Sequence, residues 1–385
     1  MASTSSSLPP AQVLRSRLDR AREACTEAGV DALVVAPGSD LRYLLGVEGG
    51  SRERLTTLVV PAASIGGAPV LVLPKLEAPG FTEVPAAEIG LEIATWVDGE
   101  DPYRLVVDLL SRGGSTPRRV AVGDMLEALH VLGLRAADPS IEQSLTGPVL
   151  RELRMRKTAE EIEGLAAAGA AIDRVHARMG EWLRVGRTEA EIGADIAAAI
   201  VAEGHTRPDF VIVGSGPNGA SPHHRVSDRV VEAGDVVVID IGGPVESGYN
   251  SDCTRTYVLG EPAHSDVHDA YEVLRRAQQA AVDAVRPGVT AAEIDAAARG
   301  TIEEAGLGEF FIHRTGHGIG LDVHEEPYIV GGNDLPLQEG MAFSVEPGLY
   351  LPGRWGARIE DIVVVTADGV RAVNTRPHEL AVLPA

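Results

Sequence analysis

The sequence predicts an α+β protein of two domains. A smaller α/β domain covers residues 1–147, and an α+β domain carrying an internal duplication covers 148–385. Three observations predict this. In the first domain, short apolar runs alternate with helical text. In the second, three helices open on one shared signature and apolar strands lie between helix pairs. Two distant segments there also repeat the same order of glycine, strand and carboxylate.

Length and composition agree. At about 150 residues per domain, 385 residues make two or three domains. Hydrophobic residues are 44% and charged residues 23%, which marks a globular chain rather than a disordered one. Acidic residues number 56 against 34 basic ones, a net charge of −22. That field repels phosphate backbones and anionic lipid, so neither nucleic acid nor a membrane is an expected partner. Clustered carboxylates instead suit divalent cations. No run approaches the ~18 uncharged apolar residues of a membrane span. The start, with residues 1–8 as a loose end, lacks the basic and apolar regions of a signal peptide, so a cytoplasmic protein is expected. Cys25 and Cys253 lie too far apart in sequence for a metal pair or a disulfide framework and read as ordinary buried thiols.

The elements follow in order. After Pro9–Pro10, residues 11–28 place Val13, Leu14, Leu18, Ala21 and Ala24 on one helical side, and Gly29 ends the helix. Residues 31–36, 58–60, 70–73 and 120–122 are strand-like, with helical stretches between them. No cluster of ligand-type residues occurs in this domain, so it is expected to shape or cover a site built elsewhere. Beyond a turn-rich stretch at 137–150, Thr158–Glu161, Thr188–Glu191 and Thr290–Glu293 each match the capping box. They predict helices over 159–184, 189–203 and 291–305, with a fourth over 266–285. Residues 236–239, 254–259, 341–345 and 361–366 read as strands. Asp173 lies on a helix outside every motif, so Asp173→Ala is expected to leave turnover intact.

The duplication carries the chemistry. Gly234 leads into a strand that ends at Asp240, and Gly340 leads into one that ends at Glu346, six residues on in both cases. Each half then returns to a second carboxylate at the head of a second apolar strand: Asp252 after 12 residues, Glu360 after 14, spacings that suit hairpins. If the halves pack about a pseudo-twofold axis, four carboxylates converge. They cannot all ionise in one pocket without counter-charge, and two divalent cations would supply it. His317, between Gly316 and Gly318, is free to offer an imidazole as a fifth ligand. One histidine with four carboxylates suits Mn²⁺ first, with Co²⁺, Fe²⁺ and Zn²⁺ as alternatives. His223–His224 follows a glycine-rich loop and by itself reads as a surface pair. The histidines at 130, 176, 205, 264, 268 and 378 read as structural.

These residues carry a family resemblance. The stretch from His313 to Glu325 resembles the signature of the pita-bread metallopeptidases, the group of prolidase and aminopeptidase P, with methionine aminopeptidase as a shorter relative. Residues 31–35 and 41–46 resemble the creatinase-like N-terminal domain. Residues 153–162 resemble the start of the catalytic domain. Residues 239–243 with 248–256, 344–348 and 358–361 resemble the remaining ligand motifs. The resemblance spans nearly the whole chain. It implies a pita-bread fold and a dinuclear centre held by Asp240, Asp252, His317, Glu346 and Glu360, bridged by Asp252 and Glu360. It also implies His223 near the scissile bond, His324 on the substrate carbonyl or tetrahedral intermediate, and His313 and Arg358 lining the substrate pocket. A homodimer is implied as well. The turn 244–248 is one residue longer than the commonest form, an insertion that should sit outside the ladder. Tyr328 stands where some prolidases carry an arginine that helps bind a dipeptide's carboxylate.

The expected chemistry is hydrolysis of the bond between an N-terminal residue and proline by a hydroxide shared between two cations. Glu346 is the proton carrier to the leaving nitrogen. Xaa-Pro aminopeptidase and Xaa-Pro dipeptidase both remain open. The alternatives are a metal-dependent lyase or non-peptide hydrolase on the same scaffold, or a binding protein that keeps the fold.

Overall fold

The computed structural model describes residues 8–112 and 118–385, so most of the expected loose end at 1–8 lies outside the described residues. The chain forms two compact units that divide between Arg154 and Met155. Among the described residues no helix is long and apolar enough to cross a membrane.

In the first unit α1 (Ala11–Ala28) ends at Gly29, whose left-handed backbone (φ 66°) returns its N–H to the last turn. Six strands form one mixed sheet: β1 (Ala32–Val35), β2 (Thr57–Pro61), β3 (Val70–Pro74), β4 (Glu92–Trp96), β5 (Arg119–Val122) and β6 (Glu142–Leu145). Their order is β4-β3-β2-β1-β5-β6. The helices α2 (Ser39–Leu45), α3 (Ala86–Ile89), α4 (Pro102–Leu110), α5 (Ala128–Ala137) and α6 (Gly147–Met155) alternate with them. The four buried strands are those the sequence predicts. β4 and β6 escape it because they are the edges, largely exposed and partly polar, as edge strands tend to be.

The second unit repeats one plan twice. Its helices are α7 (Ala159–Ala177), α8 (Glu189–Ala202), α9 (Val267–Ala284) and α10 (Ala291–Glu304). All three expected capping boxes form, with both reciprocal bonds present. Each threonine cap contributes about 1 kcal/mol. α7 stops at Ala177, short of the predicted 184, because the chain tightens into a 3₁₀ turn over Met179–Glu181 around Gly180.

The strands begin with β7 (Phe210–Ser215), β8 (Val236–Pro244) and β9 (Asn250–Leu259). They continue with β10 (Gly316–Gly318), β11 (Glu325–Ile329), β12 (Ala342–Val345), β13 (Gly348–Leu351) and β14 (Trp355–Arg358). Last come β15 (Asp361–Thr366), β16 (Gly369–Ala372) and β17 (Ala381–Leu383). One sheet runs β17-β9-β8-β7 and the other β11-β10-β12-β15-β16. Ile172, Val175, Ile192 and Ile196 of α7 and α8 pack with Val237, Ile239, Ile241 and Cys253 of the first sheet. Ala281, Ile294 and Ala298 of α9 and α10 pack with Phe343, Val345, Val363 and Val365 of the second. Each sheet therefore buries one face under a helix pair and has its other face left for a site.

The halves differ in their connections. β8 and β9 form a plain hairpin whose ladder runs to Pro244↔Asn250, with the long turn beyond it. Between β12 and β15 the chain instead builds a second ribbon, β13–β14, so the simple hairpin expected there is not what forms.

Asp173 lies on α7, and its partners are structural. It is buried and accepts bonds from the Thr375 N–H (2.6 Å), the Thr375 hydroxyl (3.0 Å) and the Asn374 amide (3.2 Å), so its loss should destabilise the C-terminal segment.

His176 is structural, as expected, and has partners. Its Nε2 lies 3.1 Å from the Cys253 carbonyl and its Nδ1 2.9 Å from the Tyr257 hydroxyl. Burial, aided by the Arg255 charge, pushes it down to about 3 from an ordinary 6.5. The unfolded chain therefore takes up this proton first. The stability His176 contributes is complete above the ordinary value and is lost as pH falls from there toward 3. Urea unfolding at pH 7 and pH 5 is expected to show the wild type losing about 2 kcal/mol more than His176→Gln over that interval. Equal losses would reject the assignment.

Candidate metal centre

The β8–β9 register sets the first two acids. Asp240 pairs with Thr254 and Gly242 with Asp252, so both carboxylates leave the same face of the hairpin, two positions apart. The opposite face carries Ile239, Ile241 and Cys253 into the helix core. Gly242, opposite Asp252, has no room for a side chain, since a Cβ there would meet the Ser251 carbonyl at 2.2 Å.

In the second half β12 and β15 pair as far as Val345↔Asp361, and Glu346 and Glu360 are the next residue on each strand. The Glu346 N–H bonds to the Thr315 carbonyl (2.8 Å) and the Glu360 N–H to the Thr254 carbonyl (3.2 Å). The latter contact joins the halves. A second joins them through Thr254 Oγ1, which donates to Glu360 Oε2 at 2.8 Å.

His317 sits on β10 between two glycines that the packing demands. A Cβ on Gly316 would lie 1.8 Å from the Ser344 carbonyl, and one on Gly318 2.2 Å from that of Glu326. The His317 N–H is held by Ser344 Oγ (3.0 Å) and its Nδ1 faces the Gly318 carbonyl at 3.1 Å. A carbonyl only accepts, so Nδ1 carries a hydrogen and Nε2 is the ring nitrogen turned toward the acids. Nε2 lies 3.2 Å from Glu346 Oε1 and 3.6 Å from Asp252 Oδ2.

The five side chains thus meet. Ligand atoms of Asp240, Asp252 and Glu360 lie within 4.8 Å of one another, as do those of His317, Glu346 and Glu360, and of Asp252, His317 and His324. Glu360 belongs to the first two groups and Asp252 to the first and third. Among the described residues, Asp240 Oδ1 and Glu360 Oε1 are buried with no hydrogen-bond partner. An unsatisfied buried carboxylate oxygen costs at least ~1–3 kcal/mol, so these two atoms suit a cation as partner. The acidities agree. Burial, then neighbouring carboxylates, raise Asp252 and Glu360 well above the usual range and raise Asp240 too. Burial acts the same way on Glu346, yet the His317 hydrogen bond and the charges of His317, His313 and Arg358 take it down to about 2. The donors are oxygen and imidazole nitrogen with no thiolate, a set that suits Mn²⁺, Co²⁺, Fe²⁺ or Zn²⁺.

All nine residues singled out in the sequence line one cavity of about 1140 Å³. Phe210, Val211, Ile212, Val226, Ile312 and Val323 give it an apolar wall. Arg358 reaches this cavity but is only 2% exposed and its donors are engaged. They reach Asp240 Oδ2 (2.6 Å), the Tyr350 hydroxyl (2.7 Å) and Thr254 Oγ1 (3.0 Å). It therefore orients Asp240 more directly than it meets a ligand. His313 joins the same chain through Nε2, 2.9 Å from the Tyr350 hydroxyl. The His324 ring is tilted against that of His317, with centroids 3.8 Å apart. Partial burial and the His317 charge push it down to about 4, so it is neutral near pH 7. The next residue, Glu325, is fixed by a buried ion pair with Lys157 at 2.6 Å. His223, exposed, and His224, half-buried, both line the cavity, and His224 Nε2 also reaches Glu189 at 2.7 Å.

Sequence reasoning missed Tyr350, Glu189 and Arg314. Tyr350 lies on β13, inside the connection read as a hairpin loop. Glu189 stands in the first turn of α8, where an acid reads as a complement to the helix dipole. Arg314 stands between His313 and His317, whose ligand chemistry is the stronger signal in the sequence. Its guanidinium lies 4.3 Å from the Tyr328 ring centroid, and among the described residues it has no hydrogen-bonded or ion-paired side-chain partner.

Comparisons with known proteins come to the same place. The profile of metallopeptidase family M24 matches residues 163–367, and that of the creatinase/prolidase N-terminal domain matches residues 17–156. A probable dipeptidase PepE of Mycobacterium tuberculosis is 58% identical over 374 residues, 97% of this chain and 98% of that one. An Xaa-Pro dipeptidase of Lactobacillus helveticus is 36% identical over 373 residues, 95% of this chain and 99% of that one. The crystal structure of dipeptidase PepE from Mycobacterium ulcerans superposes with a TM-score of 0.93 at 57% identity, covering 98% of this chain and all of the other.

Proposed function

The chain belongs to metallopeptidase family M24, with a creatinase/prolidase N-terminal domain, and from that membership we propose that it is a dinuclear Xaa-Pro peptidase acting as a dipeptidase. The observation that carries the proposal is Glu360, common to two groups of converging ligands and holding a buried oxygen without a partner. Asp240, Asp252, His317, Glu346 and Glu360 would hold two divalent ions, Mn²⁺ being the first candidate. When bound, such ions polarise the peptide carbonyl and make water a nucleophile at neutral pH. The chain's own residues do the rest. Glu346 takes a proton from the attacking water and delivers it to the leaving nitrogen. His223 and His324 donate hydrogen bonds to the carbonyl oxygen as it gains charge. Arg358 holds Asp240, and through Tyr350 it holds His313. A proline nitrogen offers no N–H, so a dedicated pocket is needed to place that bond.

The dipeptidase reading is supported by the names of the relatives and by Arg314. A guanidinium braced on an aromatic ring and lacking an acidic partner, in a cavity otherwise crowded with carboxylates, suits a substrate carboxylate. Arg314→Ala is expected to raise KM for Ala-Pro roughly ten- to a hundredfold and to leave hydrolysis of Ala-Pro-amide unchanged. Equal effects on both substrates would remove Arg314 from this role.

The function itself is tested by steady-state rates on Ala-Pro, Ala-Pro-Ala and a longer Xaa-Pro peptide. Each is assayed after chelation and after adding back Mn²⁺, Co²⁺ or Zn²⁺. Loss on chelation, recovery with metal and a preference for Ala-Pro are expected. A preference for the longer peptides would turn the reading to an aminopeptidase, and retained activity after exhaustive chelation would reject it. A lyase or non-peptide hydrolase is not favoured by the peptidase names of the relatives. Cytoplasmic residence and a homodimer complete the proposal. The buried free thiols Cys25 and Cys253 fit a reducing compartment.

A further inference from the structure

One buried carboxylate in the catalytic unit has no part in the assignments above. Glu189 is the first helical residue of α8 and is 0% exposed. The start of α8 is already capped by Thr188 and Glu191, so Glu189 is not needed there. Its side chain instead gathers donors from both ends of one loop. Oε1 accepts from the Ser215 N–H (2.8 Å) and hydroxyl (2.6 Å). Oε2 accepts from the Ser227 hydroxyl (2.6 Å) and N–H (3.2 Å) and from His224 Nε2 (2.7 Å). The Asn218 amide lies 3.1 Å and 3.2 Å from the two oxygens.

These donors bracket the segment that runs from the end of β7 to Ser227, and His223 stands inside it, on the wall of the cavity. A carboxylate is the only neutral-pH side chain that accepts at every one of these contacts. Glutamine would turn N–H groups toward donors. Burial opposes the charge, but the bonds from Ser215, Ser227 and His224 outweigh it and hold Glu189 below the usual glutamate range. Without this anchor His223 would ride on an exposed loop, and a misplacement of about 1 Å is enough to cost a hundredfold in rate.

We propose that Glu189 and His224 form a latch that fixes the 215–227 loop and so positions His223 against the substrate carbonyl. Both are positioning residues. The inference rests on the role given to His223 under the proposed function. It gives two adjacent histidines of the cavity wall different tasks, since only His224 is tied to the buried acid.

A double-mutant cycle on the metal-loaded enzyme tests it, with Glu189→Gln and His224→Phe each made alone and combined with His223→Ala. His224→Phe keeps a ring in place and removes one donor, so it decides the matter if Glu189→Gln does not fold. Each latch variant alone is expected to lower kcat for Ala-Pro about tenfold or more, with KM and bound metal retained. In the His223→Ala background each should add less than about twofold. Full multiplicative losses in that background, or an unchanged kcat in the single variants, would overturn the latch. If His223→Ala itself turns over normally, the role given to His223 falls and the latch with it. That failure is read from the His223 variant alone and is distinct from the others.

Discussion

Replacing Glu360 with alanine is expected to abolish peptide hydrolysis, by about 10³-fold or more, and to lower bound metal by about one ion per chain. The size follows from position. Glu360 belongs both to the group with Asp240 and Asp252 and to the group with His317 and Glu346, so its loss opens both. The metal-free protein should respond in the opposite sense. Glu360 is 1% exposed beside three other carboxylates and is raised well above the glutamate range by burial and by the Glu346 and Asp240 charges. Removing it relieves that crowding, so the melting temperature of the apo variant should rise above that of the apo wild type. Elemental analysis, turnover of Ala-Pro and calorimetry of the apo forms check the three parts. Full turnover with unchanged metal content would reject a dinuclear centre.

His324→Ala is expected to lower kcat about 10²–10³-fold while bound metal is retained. The ring lies against His317 and stays neutral near pH 7, which suits a hydrogen-bond donor to a developing oxyanion. Its place is not left to the loop. Lys157, just ahead of α7, pairs with Glu325 in an environment where their side chains are 2% and 8% exposed. Breaking such a pair by removing one partner costs about 3–5 kcal/mol, so the backbone at His324 is firmly held. A drop in metal content in His324→Ala, in place of a drop in kcat at full occupancy, would reassign it as a ligand alongside Asp252 and His317.

What the sequence reveals here is what local physics decides. Capping boxes are written in four adjacent residues, and all three form. Buried strands announce themselves by β-branched runs, as in β1 and β15. The four acids are legible because two halves repeat the same frame, and repetition is a signal that no single acid carries. Other features depend on tertiary neighbours. The β13–β14 ribbon is short, with a turn at Gly353, and in sequence it is no different from a long loop. Arg358 reads as a pocket residue until Asp240 and Tyr350 are seen to engage its guanidinium. Glu189 is invisible for the same reason, since its six donor groups come from residues 26–38 positions away.

The ribbon has a consequence for how the protein becomes an enzyme. Arg358 ends β14 in the second half, yet the acid it neutralises, Asp240, belongs to the first, and Thr254 of the first half holds Glu360 of the second. Neither half by itself owns a finished cradle for an ion. Under the proposed dinuclear reading, high-affinity cation capture would be open only to chains whose two sheets have already docked, and would add stability to that docking. Metal uptake would then double as a proofreading step on folding.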